Sequence, residues 1–192
     1  MMRSLLLLLA RPWRRPMSAL SVTRHRFRVM PWDCDLNVHL TNGRYPQWLD
    51  LARTEFFLRI GAGPLFVRFG WRSVLASQTL TFVREIKPLA AVDVESRVLH
   101  WDKKYFYMEH RFLVDGRLHA KALARIAMLK GGKVRSFGAL QQAIARYQQL
   151  PGMEQPETPV APLEVLAKIE LLGAKRLAEE EREARHAARP QG

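Results

Sequence analysis

Cysteine is all but missing from this chain. Cys34 is the only one among 192 residues, which excludes an intrachain disulfide framework and points to a reducing compartment, the cytoplasm before any organelle. Nothing approaches the ~20 consecutive apolar residues needed to span a bilayer; the opening run, Leu5 to Ala10, has six. Arginines follow it and no small-x-small cleavage pattern does, so a secretory signal is not expected. Metal-ligand patterns are also lacking. His25, His39, His100, His110, His119 and His186 show no paired spacing, and neither H-E-x-x-H nor C-x-x-C occurs, so neither a metal nor a resident cofactor is expected. No glycine-rich phosphate loop precedes a helix, and "KGGK" at 130–133 is a weak signal alone.

Acids are absent before Asp33, and this locates the surplus of base. The formal net charge is +13, from 31 Lys and Arg against 18 Asp and Glu. Seven arginines (Arg3, Arg11, Arg14, Arg15, Arg24, Arg26, Arg28) lie before residue 30, and from Leu163 onward six bases meet six acids. Residues 30–162 therefore hold 18 bases and 12 acids. Much of the charge belongs to the terminal arm, residues 1–20, and no nucleic-acid partner is expected. The arm reads as an over-long start with the true one at Met17, as an organelle transit segment, or as an anchor giving peripheral membrane contact.

Periodicity organises the rest of the chain. Val22 to Met30 reads as a strand closed by Pro31. From about Gly43 a helix is expected, capped by Thr41 or Asn42, with Pro46 harmless in its first turn. Its stripe of Tyr45, Trp48 or Leu49, Ala52, Phe56 and Ile60 is widened almost right round by Leu51, Phe57 and Leu58, so it should be deeply buried. "GAGP" at 61–64 stops it. After an aromatic loop, Pro64 to Trp71, strands are expected over 72–87, 91–102, 104–114 and 117–130, with Asp115–Gly116 as a tight turn. The connectors are too short for crossover helices, so the strands form an antiparallel meander. A short helix over 139–149, a Pro-rich linker over 151–162 and a charged helix or disordered tail over 163–192 complete the chain. Residues 21–150 thus form an α+β unit in which a curved antiparallel sheet of about five strands wraps one long central helix. Its long edge strand needs covering, which a homodimer or tetramer supplies. This is the hotdog architecture.

The chemistry concentrates in "DCDLNVHLTNGRY", residues 33–45. A carboxylate near a helix N-terminus faces roughly half a positive charge and unpaired N–H groups. It can attack a carbonyl or activate water, while the N–H groups polarise the carbonyl oxygen. The same spacing equally suits an Asx-turn in which Asp33 or Asp35 only shapes the loop. Cys34 is a poor nucleophile, because flanking carboxylates disfavour its thiolate. Glu55, within the helix, can pair with Arg53 or Arg59; its position resembles that of the central-helix glutamate that some hotdog proteins use in catalysis, which makes it second choice to Asp35.

The stretch "WDCDLNVHLTNGRYPQWLDLAR" resembles the signature of the 4-hydroxybenzoyl-CoA thioesterase-like branch of the hotdog-fold acyl-CoA thioesterases, Asp-x-Asp-x-x-Gly-His-x-Asn-Asn-x-x-Tyr. Asp33, Asp35, His39, Asn42 and Tyr45 match; Asn37 is taken to replace the glycine, and Thr41 replaces the first asparagine. The resemblance implies hydrolysis of an acyl-CoA thioester, with CoA entering only as part of the substrate. Asp35 is then nucleophile or general base, and the backbone N–H around Asn42 or Gly43 polarises the carbonyl. His39 and Asn42 orient loop or substrate, while Tyr45, Gly43, Asp33 and Trp71 contact substrate. Arg84, Lys87, Arg125, Lys130, Lys133 and Arg135 are candidates for the CoA phosphates. The alternative is a hotdog module that binds acyl-CoA or acyl carrier protein without turnover; a hotdog dehydratase fits the Asp-Cys-Asp loop less well.

Overall fold

In the computed structural model, residues 17–149 and 156–187 are described. The expectations for residues 1–16, and for the first half of the Pro-rich linker, lie outside the described residues. β1 (Thr23–Arg28) leads through a single 3-10 turn (Pro31–Asp33) and a loop into α1 (Arg44–Arg59). A six-residue helix, α2 (Gly63–Arg68), comes next, and then the strands β2 (Trp71–Phe82), β3 (Ala91–Trp101), β4 (Tyr105–Val114), β5 (Arg117–Lys130) and β6 (Lys133–Arg135). α3 (Phe137–Tyr147) and α4 (Leu163–Ala187) close the described chain. All strand pairs are antiparallel, in the order β1-β3-β4-β5-β2, with β6 on β5. The sheet encloses α1, as the hotdog pattern requires.

Two glycine turns set the meander. Val114 pairs with Arg117 across Asp115 and Gly116, whose φ values are 48° and 74°. Lys130 pairs with Lys133 across Gly131 and Gly132, at 57° and 75°. Two consecutive left-handed residues are the hairpin turn whose twist matches the strands. "GGK" is therefore a turn into the short β6, a strand that periodicity does not predict.

β2 stops at Phe82, short of the Lys87 expected from its apolar run, because the next residues leave the ladder for other partners. Val83 and Arg84 N–H both donate to His119 O at 2.8 and 2.9 Å. Ile86 O accepts from Leu40 N–H at 2.8 Å, and Leu89 N–H donates to Val29 O at 2.8 Å. The segment thus ties the loop before α1 to the end of the sheet. α1 is capped by Gly43, with no side-chain cap bond from Thr41 or Asn42. α3 begins at Phe137 because Ser136 Oγ accepts from Ala139 N–H at 3.1 Å.

The core is two apolar clusters with a polar layer between them. One gathers Phe56, Phe57, Ile60, Trp71, Phe106 and Phe137, the other Phe27, Tyr45, Trp48, Leu49, Val92 and Phe112. On β3 and β4 the boundary is Ser96 and His110, both fully buried, with Ser96 Oγ 2.7 Å from His110 Nδ1. Arg53 of α1 faces this layer and donates to Gln78 Oε1 at 2.8 Å. Glu55 is buried and paired with Arg59 at 2.8 Å and with His25, which gives it a structural place.

Burial first, and Arg53 second, push the His110 imidazole down to about 3. The unfolded chain takes up that proton near pH ~6.5. The stability tied to His110 is therefore complete above that pH and is lost as pH falls from ~6.5 toward 3. Urea unfolding should show a loss on the order of 2 kcal/mol between pH 7 and pH 5 from this group, and His110→Gln should flatten that slope.

Candidate active site

The conspicuous motif folds back on itself as a small hairpin. Cys34 and Leu40 form an antiparallel bridge. Asp35 N–H donates to His39 O and Val38 N–H to Asp35 O, each at 3.0 Å. The Asp35 carboxylate accepts from Asn37 N–H at 2.9 Å, the turn that an aspartate two residues ahead of a free N–H favours. Leu36, Asn37 and Val38 at the tip are exposed. The Leu40 bond to Ile86 O pins the base of the hairpin to the end of the sheet.

Val38 has φ 60°, the left-handed region that a β-branched residue rarely enters. It stands immediately before His39, where the motif places glycine. The residue replacing the glycine is therefore Val38, a correction to the assignment of Asn37, and the backbone there shows why glycine is the fitting choice.

The two acids part company. Asp33 is 3% exposed. One of its oxygens accepts from Met30 N–H at 3.0 Å and the other lies 3.0 Å from Arg44 Nε, while Thr41 N–H bonds its carbonyl at 3.0 Å. With its carboxylate engaged by Met30 N–H and Arg44, Asp33 ties the hairpin to the first residue of α1. Asp35 is at the surface, with Oδ1 3.5 Å from His39 Nδ1. The opposite ring nitrogen, His39 Nε2, lies 3.9 Å from Glu85 Oε2. The line Asp35–His39–Glu85 includes a residue that sequence reasoning missed, because Glu85 looked like part of a strand.

Among the described residues the backbone N–H groups of Asn42 and Gly43 donate to no acceptor, and both residues are exposed. A Cβ added to Gly43 would meet nothing within 4 Å. The two residues just ahead of α1 thus present unpaired donors at an open surface, while the Arg44 N–H donates to Thr41 O at 2.9 Å. No hydrogen bond joins Asp35 to either residue. The Cys34 thiol is pushed up by burial and then by Asp33 and Asp35, which removes it as a nucleophile at neutral pH.

Other expected substrate contacts fall elsewhere. Tyr45 is 2% exposed and packs at 5.0 Å between ring centroids against both Phe82 and Phe112. Its hydroxyl is pushed up to about 12 by burial. It packs as a core residue between these rings. Trp71 is buried at the far end of β2, about 35 Å of extended strand from Phe82, and is not brought to the hairpin. Lys130, Lys133 and Arg135 line a surface groove beside Trp71, whereas Arg125 stacks on Tyr105 on the outer face of the sheet. Only Arg84 and Lys87 share a site with Glu85. They line a groove of about 740 Å³ together with Ile86, Arg117 and His119. His119 Nδ1 lies 2.8 Å from Glu85 O and Arg84 Nη1 donates to Leu118 O at 2.6 Å. Among the described residues no cluster of His, Cys, Asp or Glu could hold a metal ion, and no helix is long and apolar enough to cross a membrane.

Residues 29–169 match the family described as the thioesterase-like superfamily. The chain is 34% identical over 85 residues to Protein THEM6 of Xenopus laevis, covering 44% of this chain and 41% of that protein. It is 33% identical over 116 residues to Thioesterase poxG of Penicillium oxalicum, covering 53% and 38%. The chain therefore spans about two fifths of the length of these relatives. In fold it is similar to the DHNA-CoA thioesterase from Staphylococcus aureus, with a TM-score of 0.56 and 14% identity over 67% of this chain and 92% of that one.

The strain at Val38 is testable. Val38→Gly relieves the left-handed backbone at the cost of a freer unfolded chain. Urea unfolding should show a net gain of about 1 kcal/mol, whereas Asn37→Gly, on an unstrained backbone, should show none.

Proposed function

We propose, since this chain belongs to the thioesterase-like superfamily, that it hydrolyses an acyl-CoA thioester to a carboxylic acid and free CoA at the 33–45 hairpin. The observation that carries this reading is the pair of unpaired N–H donors at Asn42 and Gly43, in the same hairpin as the exposed Asp35 carboxylate. Donors fixed in the backbone need no reorganisation as charge grows on the thioester oxygen; one such donor is typically worth about 3–4 kcal/mol in the transition state.

Asp35 attacks the carbonyl carbon, or takes a proton from a water that does so, while the oxygen draws on the N–H groups of Asn42 and Gly43. The C–S bond then breaks and CoA leaves as the thiolate, to be protonated by solvent. By the direct route an acyl-aspartyl anhydride remains, which water hydrolyses. His39, between Asp35 and Glu85, positions the carboxylate. Arg84, Lys87 and Arg117, beside Glu85, suit the CoA phosphates. A reducing compartment suits a product that is a free thiol.

The enzyme works as a homodimer in this reading. β2 ends the sheet with one edge unpaired, and Val74, Leu75, Phe82 and Val83 are exposed along and just beyond it. A long apolar edge is an invitation to pair, and a second copy meeting it edge to edge closes it. One observation favours the binding module instead: an Asp35 oxygen is already taken by Asn37 N–H.

Thiol release from short, long and aromatic acyl-CoAs separates the two. Wild type should turn over, and Asp35→Ala should lose at least about two orders of magnitude in kcat with an unchanged melting temperature. Saturable binding without turnover across the panel would leave the binding module standing.

A further inference from the structure

The acids of this chain avoid one end of the fold. From Phe56 to Arg84, and again from Gly116 to Gln149, there is no aspartate or glutamate. All of α2, β2, β5, β6 and α3 comes from those two stretches. Parts of all five meet in the groove beside Trp71, an open furrow of about 720 Å³. Lys130, Lys133, Arg135 and Arg146 line it and are exposed. Among the described residues none of the four pairs with a carboxylate. Phe69 and Tyr147, also exposed, meet in the same groove with ring centroids 5.6 Å apart. α2 supplies Leu65 to the groove and ends on the exposed Val67 and Arg68.

The counter-charge for this groove does not come readily from the chain itself. On the outer face of the sheet Asp93 is held by Arg26, Glu95 by Arg24 and Arg111, and Glu109 by Arg97 and Lys121. A second copy therefore has no free acidic face there to offer. The arm ahead of residue 17 is basic as well, with Arg3, Arg11, Arg14 and Arg15 and no acid. Yet it joins the fold at this same end. Met17 N–H donates to Arg59 O at 2.9 Å, where α1 closes, and Ala19 is buried in one cluster with Leu65 and Trp71. Two basic features with apolar neighbours thus share one end of the molecule, and they repel each other.

We propose that this end docks on an anionic bilayer, with the groove beside Trp71 taking the phosphates of lipid headgroups. A negatively charged leaflet attracts each Lys or Arg held within a Debye length of it, and here four stand together with no acid among them. Charge alone binds a bilayer weakly; firm peripheral binding adds apolar contact. Phe69 and Tyr147 supply that contact, since aromatic side chains settle at headgroup level, and Val67 stands next to them at the end of α2. The arm matches the same surface, because its apolar run, Leu5 to Ala10, is followed by arginines. Such a run suits acyl chains and does nothing for a nucleic acid, whose binding is governed by phosphate contacts. About 35 Å of extended strand separates Trp71 from Phe82, so docking leaves the hairpin open to a soluble thioester.

Flotation of the full chain with vesicles tests the docking. Binding to phosphatidylcholine vesicles holding about one third phosphatidylserine should exceed binding to pure phosphatidylcholine by about tenfold or more. Lys133→Glu/Arg146→Glu, at two exposed positions, should remove about tenfold or more of that binding. As a second measurement, Val67→Cys in a Cys34→Ser background, labelled with an environment-sensitive dye, should shift to the blue on the anionic vesicles alone. Equal binding to both vesicles, or no dye shift, overturns the proposal. So does a groove variant that binds like wild type while Arg14→Glu/Arg15→Glu abolishes binding, which puts the docking in the arm. A single-stranded oligonucleotide bound more tightly than the anionic vesicles at the same salt also overturns it, in favour of nucleic acid.

Discussion

One requirement shapes this molecule: α1 is buried on several sides at once and has a single sheet to hide in. Tyr45, Trp48, Leu49, Ala52, Phe56 and Phe57 are buried along it, with the paired Arg53 and Glu55. A flat sheet covers one stripe of a helix, so this sheet must curve. Register shifts at Leu75/Ser77, Val98/His100 and Phe112/Leu113 supply places to bend. The same requirement positions the site. Once α1 is enclosed, its polar N-terminus must emerge at an end of the sheet, where the 83–90 segment meets the hairpin. The unpaired N–H groups of Asn42 and Gly43 are thus a consequence of burying Phe56 and Phe57.

Curvature around one helix also leaves two edges, and they are not alike. β1 carries Arg24, Arg26 and Arg28, with Arg26 paired to Asp93 at 2.7 Å and Arg24 to Glu95 at 2.5 Å. Charges like these discourage strand addition. β2 offers Val74 and Leu75 with no such guard. The asymmetry leaves β2 as the edge on which the proposed second copy would pair.

The architecture was legible from periodicity because the signals that determine it are local: alternation in β5, the helical stripe of α1, the Asp-Gly and Gly-Gly pairs of the two turns. What stayed hidden depends on long-range pairing. The three-residue β6 has no periodicity to read. β2 looked longer than it is, since only tertiary contact shows that Arg84 to Lys87 bind the hairpin and His119. In the site, Asp35, His39, Asn42 and Gly43 lie together by chain proximity, which sequence conveys. Glu85 and Arg117 arrive from other elements, and nothing local marks them. The burial of Tyr45 and Trp71 was not legible for one reason: an aromatic side chain reads the same whether it lines a pocket or fills a core. Asp33 stood in the motif as an acid like Asp35, and only its bonds to Arg44 and Met30 separate structure from chemistry.

The basic excess makes sense once charges are sorted by partner instead of counted. Across the outer face the charges come in chains, Arg24–Glu95–Arg111 and Arg97–Glu109–Lys121–Glu164. Exposed pairs of this kind contribute little to stability, but they cancel the field of the face that carries them. Among the described residues, the cations without a carboxylate partner include Arg84 and Arg117 in the groove beside Glu85 and Lys168 beneath α4. An unpaired cation on an exposed loop costs little. Lys168 is different: burial with a hydroxyl as its hydrogen-bond partner, and then Arg125 and Lys175, lower its ammonium from the ordinary lysine range. The hairpin differs again, for there free N–H groups and an exposed carboxylate lie within a few residues of each other. At the hairpin that electrostatic demand is unmet inside the chain, and it is what a substrate would satisfy in the proposed reaction.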